Sequence, residues 1–261
     1  MLPLNHTLSE ANFILPVDLH THTLASGHGT TDTISDLAKA AAAKGMTALG
    51  ITDHGPATPG SCKESYFRSL KSAPKIRAGI RVYYGAEVNI LDENGTLDLP
   101  DEILAGLDYC IASIHPQSFV RPIYHKHSLH MEQMAANSDV TRRLNTQAYI
   151  KAMENPYVKI IGHPDDQHYP IDCRALVEAA VRNHVILEVN EVSLSPNGYR
   201  GDPVDTMRTM KELLLLCRDC QHPILLSSDS HGAKHVGEAP LCFKLIRETG
   251  FSMDLIVNYN I

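Results

Sequence analysis

Along this chain, apolar runs of strand length alternate with amphipathic stretches of helix length. Residues 13–20 read as a first strand, with Pro16 near its start. Thr33, followed three residues later by Asp36, has the pattern of a capping box. Ile34, Leu37, Ala38 and Ala41 then mark one helical face that stops at Gly45. The unit repeats. Further strands are predicted over 46–52, 81–88, 107–114, 157–163, 185–190 and 223–228. Between them, helices are expected over about 63–72, from Pro100 as first helical position, over about 144–154, after an Asp172 cap, and from Asp202-Pro203 towards Cys220. A last one covers about 238–249. Strands alternating with helices predict parallel βαβ units, and seven of them across 1–261, with no linker or repeat to divide them, predict one α/β domain of TIM-like (β/α)7 barrel type.

The strand ends carry the chemistry. His20 and His22 stand two apart, and alternate residues of a strand share a face, so both imidazoles can serve one metal ion. In isolation such a pair reads as two surface histidines near a chain end. The pattern recurs, however: His54 follows the second strand, Glu87 closes the third, and His115, His163 and the Asp229-Ser230-His231 stretch close later ones, with His28 in the first loop. Parallel barrels collect their C-terminal strand ends at one mouth, so these nine ligand-type residues are expected to converge on a polynuclear metal site.

Composition sharpens this picture at a few points. With 43% hydrophobic and 20% charged residues the chain is globular, and a net charge of -7 with no basic stripe argues against nucleic acid as partner. No apolar run is long enough for a membrane span, and no signal peptide is legible. Six scattered cysteines suggest reduced thiols and a cytoplasmic protein, and the Cys217/Cys220 pair lacks the second pair that a zinc knuckle needs. The polar stretch 117–142 carries His125, His127 and His130, read as solvated or substrate-facing. Arg121, Lys126, Arg200 and Lys234 lie in loops within reach of a phosphate, although for each the solvated surface is the default.

Taken in order, Asp18-Leu19-His20-Thr21-His22-Thr23, Ile51-Thr52-Asp53-His54-Gly55, Gly85-Ala86-Glu87, Ile114-His115-Pro116, Ile161-Gly162-His163-Pro164 and Ser228-Asp229-Ser230-His231 resemble the signature of the polymerase and histidinol phosphatase (PHP) family, over nearly the whole chain and closest to its YcdX-like branch. The resemblance implies a distorted seven-stranded barrel with three divalent cations, zinc, manganese or iron. It implies that His20, His22, Glu87 and Asp229 hold one of them, that Glu87 bridges to a second held by His115 and His163, and that His28, His54 and His231 hold the third. The expected reaction is hydrolysis of a small phosphorylated metabolite by a metal-bridging hydroxide. Glu87 and Asp229 are expected at the reacting centre, and Asp53, beside His54, is expected either to assist or to orient a ligand. A homo-oligomer is compatible with this reading.

The chain departs from the branch in a lead of about a dozen residues before the first strand, an enlarged loop after His115 and an early end after the seventh unit. Rival readings are an amidohydrolase-type enzyme, which commonly uses a modified lysine and eight strands, a histidinol phosphatase, a short-oligonucleotide nuclease, and a catalytically silent metal-binding module. Glu87 on the third strand and the count of seven units favour the PHP reading over the amidohydrolase.

Overall fold

The computed structural model of the protein describes residues 13–119, 139–196 and 198–259. Its strands are β1 (Val17–Asp18), β2 (Thr21–His22), β3 (Ala48–Ile51), β4 (Ile76–Arg77), β5 (Ile80–Asn89), β6 (Tyr109–Ser113), β7 (Val158–Ile161), β8 (Ile186–Asn190), β9 (Ile224–Ser227) and β10 (Ser230–His231). Parallel pairing runs in the order β1-β3-β5-β6-β7-β8-β9, with β4 added antiparallel to β5. The sheet is nearly closed into a distorted barrel of TIM type, as expected.

The core follows from strands buried on both faces. An outer shell packs residues such as Leu49, Ile51, Val82, Tyr84 and Leu187 against the helices. A smaller cluster of Val17, Leu19, Ala48, Ile111, Ile160 and Leu225 joins opposite strands, and such contacts run only through the barrel interior. This apolar floor fills the lower barrel, so polar inward residues gather above it at the C-terminal strand ends.

Closure between first and last strands has three parts. β10 pairs parallel with β2, setting Ser230 against Thr21 and His231 against His22. Ser228 donates from both N and Oγ to Asp18. Below them, the Asn258 side chain takes the place of a missing ladder. Its Nδ2 donates to Val17 O and Leu226 O at 2.7 Å each, and its Oδ1 accepts from Leu226 N at 2.9 Å. Asn258 thus bridges β1 and β9 where the two strands do not pair.

Several elements differ from the sequence expectation. The first strand is broken after Asp18, because the Asp18 carboxylate accepts from His20 N, Ser228 and Gly237 N while Thr21 turns to Gly50 and Thr52. Pro100 is the N-cap of Asp101–Leu104 and not its first residue. The helix Asp139–Ala152 begins five residues before 144, since Thr141, Asn145 and Thr146 occupy its buried face and hide the apolar period. Glu191 opens a short helix, Glu191–Leu194, and its carboxylate caps the last helix by accepting from Leu241 N and Cys242 N. That last helix starts at Pro240, two residues after 238. The Thr33–Asp36 capping box, the Asp172 cap and the Asp202-Pro203 start are present as read. All six cysteines are free, and among the described residues no helix is long and apolar enough to cross a membrane.

Candidate metal centre

Local strand geometry aims the ligand-type side chains. On β5, Glu87 points inward, and the backbone ladder continues past β3: Glu87 N donates to Asp53 O and Gly55 N donates to Glu87 O, which fixes His54 beside Glu87. His20 and His22 keep their rings 5.1 Å apart despite the strand break. His163 and Asp229 leave their strands with φ of 30° and 49°, in the left-handed region disfavoured for side chains bearing a Cβ, and so turn sharply into the mouth. Gly29, at φ +79°, brings the His28 loop over His231; a Cβ there would lie 2.6 Å from the His231 ring.

The nine residues expected to converge do so. Glu87 is the hub. Its Oε2 lies 2.7 Å from His54 Nδ1 and 3.5 Å from His22 Nε2, and its Oε1 lies 2.9 Å from His163 Nε2, 3.3 Å from His115 Nε2 and 3.4 Å from His20 Nε2. Asp229 Oδ1 stands 3.1 Å from His22 Nε2 and 3.6 Å from His20 Nε2. The more exposed His28 ring lies 5.0 Å from that of His54 and 4.9 Å from that of His231. Three overlapping sets bring ligand atoms within 4.8 Å of one another: His20, His22 and Asp229; His54, Glu87 and His115; and His22, His54 and His231.

What these atoms lack is ordinary hydrogen bonding. Nε2 of His20, His22 and His231, Nδ1 of His54 and Oε2 of Glu87 are buried and make no hydrogen bond within the protein. Their close approaches miss hydrogen-bond geometry because several lone pairs aim at shared points. Native proteins rarely leave buried polar atoms so, and a set of nitrogen and oxygen donors facing one another suits a divalent cation of the zinc, manganese or iron type.

In four of the histidines the second ring nitrogen is tied down, whereas His163 Nδ1 is buried without a hydrogen-bond partner. His20 Nδ1 pairs with Glu188 Oε1 at 2.5 Å, His22 Nδ1 with Ser26 Oγ at 2.9 Å, His115 Nδ1 with Asn89 Oδ1 at 2.8 Å, and His231 Nδ1 with Asp229 O at 3.2 Å. An acceptor at Nδ1 holds the proton there and leaves Nε2 its lone pair. Asp53 lies one step further back: it accepts from Thr23, from Tyr66 Oη and from Ser26 Oγ, the hydroxyl that meets His22. Asp53 is wholly buried and reaches the His22 ring through the Ser26 hydroxyl.

Electrostatics follow from three buried carboxylates. Burial pushes Glu87 up, but the rings of His20, His115 and His54 outweigh it and hold the group well below the usual carboxylate range. Asp229 is likewise held well down against burial by His20 and Arg200. His20 carries the complementary effect: burial lowers it, but Glu188, Asp229 and Glu87 together raise it well above an ordinary imidazole. The three carboxylates thus favour positive charge where this ring points. His22, His28 and His231 are lowered, chiefly by burial.

Two residues carry roles that their sequence positions do not announce. Glu188, in the middle of β8, accepts from His163 N at 2.7 Å and Ser227 Oγ at 2.6 Å as well as pairing with His20. An acid set among Val185, Ile186, Leu187 and Val189 was the available signal. Arg200, read from the sequence as solvated, is only 3% exposed; Nη2 donates to Asp229 Oδ2 and Nη1 to Ser193 Oγ, each at 2.7 Å. The neutralised carboxylate, not bulk water, is its partner. Lys234 is exposed, as expected, whereas Arg121, Lys126, His125, His127 and His130 lie outside the described residues.

The chain is 36% identical over 247 residues to a probable phosphatase of Thermoanaerobacter sp. (strain X514), covering 95% of this chain and 91% of that protein. A probable phosphatase of Acetivibrio thermocellus is 33% identical over 245 residues, covering 94% and 91%. The crystal structure of a histidinol phosphate phosphatase from Lactococcus lactis, complexed with zinc, L-histidinol and phosphate, shares the fold at a TM-score of 0.60 and 18% identity, covering 90% of this chain and 94% of that one. Residues 18–191 match the PHP domain, most of the ligand-bearing strand ends fall inside that match, and the chain belongs to the PHP family.

Proposed function

We propose that this PHP protein is a metal-dependent phosphoesterase that hydrolyses a small phosphomonoester, with three divalent cations at the mouth of its barrel. The observation that carries the reading is the set of buried, mutually facing ligand atoms with no hydrogen-bond partner, centred on Glu87. His20, His22 and Asp229 would hold one cation with Glu87, Glu87 would share a second with His115 and His163, and His28, His54 and His231 would hold the third. Bound there, such cations supply a water acidified towards neutral pH and positive charge for the phosphoryl oxygens.

The chain's own groups keep the centre ready. The Glu87 carboxylate, with an oxygen facing each side of the site, is built to be shared. Arg200 and Asn190 both donate to Asp229 Oδ2, which leaves Oδ1 directed at His22 and His20. Glu188, Ser26 and Asn89 fix the ring orientations, and Asp53 steadies Ser26. These contacts set the geometry before substrate arrives, so little reorganisation is left for the reaction itself.

Elemental mass spectrometry on protein purified without chelator, with p-nitrophenyl phosphate hydrolysis measured on the same sample, tests the proposal. About three cations per chain and chelator-sensitive hydrolysis that His22→Ala and Asp229→Ala abolish are expected. Protein that takes up no metal on reconstitution, or that is fully loaded yet turns over no phosphomonoester, refutes it; the loaded but inert form would be a binding module.

A further inference from the structure

Tyr199 stands where the buried centre meets solvent. Its residue is 65% exposed, yet its hydroxyl is 3.5 Å from Arg200 Nη2, the nitrogen that also holds Asp229. The guanidinium carbon of Arg200 lies 5.4 Å from the ring centroid, so the ring is propped against a cation that is itself buried and fixed by Ser193 and Asp229. An exposed aromatic residue held in this way loses little conformational freedom when something stacks on it.

The surroundings are consistent with a binding role. Leu24, Val140 and Val204 are also exposed, at 51%, 47% and 73%. Leu24 lies in the loop after β2, while Val140 and Val204 lie in the first turns of Asp139–Ala152 and Pro203–Asp219. In a parallel barrel, loops that follow strands and the helix starts behind them all border the C-terminal face. Exposed apolar side chains on elements that start at the face carrying the ligand-lined mouth suit the apolar part of a ligand.

We propose that Tyr199 is the specificity platform of the site: its ring stacks against an aromatic or other planar leaving group of the phosphomonoester, while the phosphoryl end enters the centre beside Arg200 and Asp229. The inference rests on the phosphoesterase reading and names its substrate class, esters of planar, apolar alcohols or phenols in preference to those of small aliphatic alcohols. No proton or electron is assigned to Tyr199; it contributes contact area.

Non-hydrolysable phosphonates test this without requiring turnover. Calorimetric titration of the metal-loaded protein with phenylphosphonate and methylphosphonate gives the ratio of their dissociation constants. The wild type should favour the aryl compound by about tenfold, equivalent to ~1.4 kcal/mol. Tyr199→Ala should bring the ratio close to one with metal content unchanged, and Tyr199→Phe should keep it. Equal affinities in the wild type, a preference that survives Tyr199→Ala, or binding of neither compound overturns the inference. A Tyr199-dependent aryl preference in a protein that hydrolyses no phosphomonoester would instead sink the phosphoesterase reading and leave the platform standing.

Discussion

Replacing Glu188 by glutamine alters one terminal group and should disable a histidine that the substitution never touches. Four donors converge on this carboxylate: His20 Nδ1 and Ser227 Oγ on Oε1, and His163 N and Asn190 Nδ2 on Oε2. A glutamine must turn its amide NH2 towards one pair. The Oε2 side presents the His163 backbone N–H at 2.7 Å, a donor that cannot be reversed, so the oxygen stays there and the NH2 faces His20 and Ser227. The Ser227 hydroxyl can rotate away. His20 cannot, and its Nδ1 must then accept, which moves the ring proton to Nε2, the atom directed at Glu87 and Asp229. A protonated Nε2 has no lone pair for a cation.

Loss of such an orienting partner lowers metal affinity by about 10- to 100-fold, or ~1.4–2.7 kcal/mol. Competition against a fluorescent chelator reads this directly, and far-UV circular dichroism checks that the fold is kept. An affinity within twofold of wild type in a folded Glu188→Gln protein would refute the argument that Glu188 sets the tautomer of His20.

Other substitutions probe separate parts of the design. His231→Ala removes a buried, unpartnered Nε2 and should release about one cation per chain with the fold intact, as elemental analysis will show; full occupancy contradicts its assignment. Arg200→Met leaves Asp229 without its guanidinium partner in a buried setting, and denaturant unfolding of the metal-free protein should report a loss of about 3–5 kcal/mol. Asn258→Ala deletes three buried hydrogen bonds across the barrel seam, worth ~1 kcal/mol each; the urea midpoint should fall with the slope unchanged, and an unmoved midpoint would mean that the seam closes without it.

The alternation of strands and helices, and most of the ligand set, were legible in the sequence because both are local. A β-branched run that stops at a Gly or Pro fixes where a strand ends, and whatever His, Asp or Glu stands there is delivered to the mouth; His54, His115 and His163 follow this rule. The helix from Asp139 was clipped because buried polar residues replaced its apolar period. Asn258 carried no signal at all, since its partners on β1 and β9 lie up to 241 residues away and need it only because those strands do not pair. Arg200 looked like any loop arginine until the fold brought Asp229 to it. Sequence by itself determined which side chains stand at or near most strand ends, because backbone periodicity and turn chemistry act over a few residues. Only the tertiary structure decided which atoms face one another, which nitrogen of each histidine is turned inward and which charges share one buried space, because these depend on barrel closure, and closure joins the two ends of the chain.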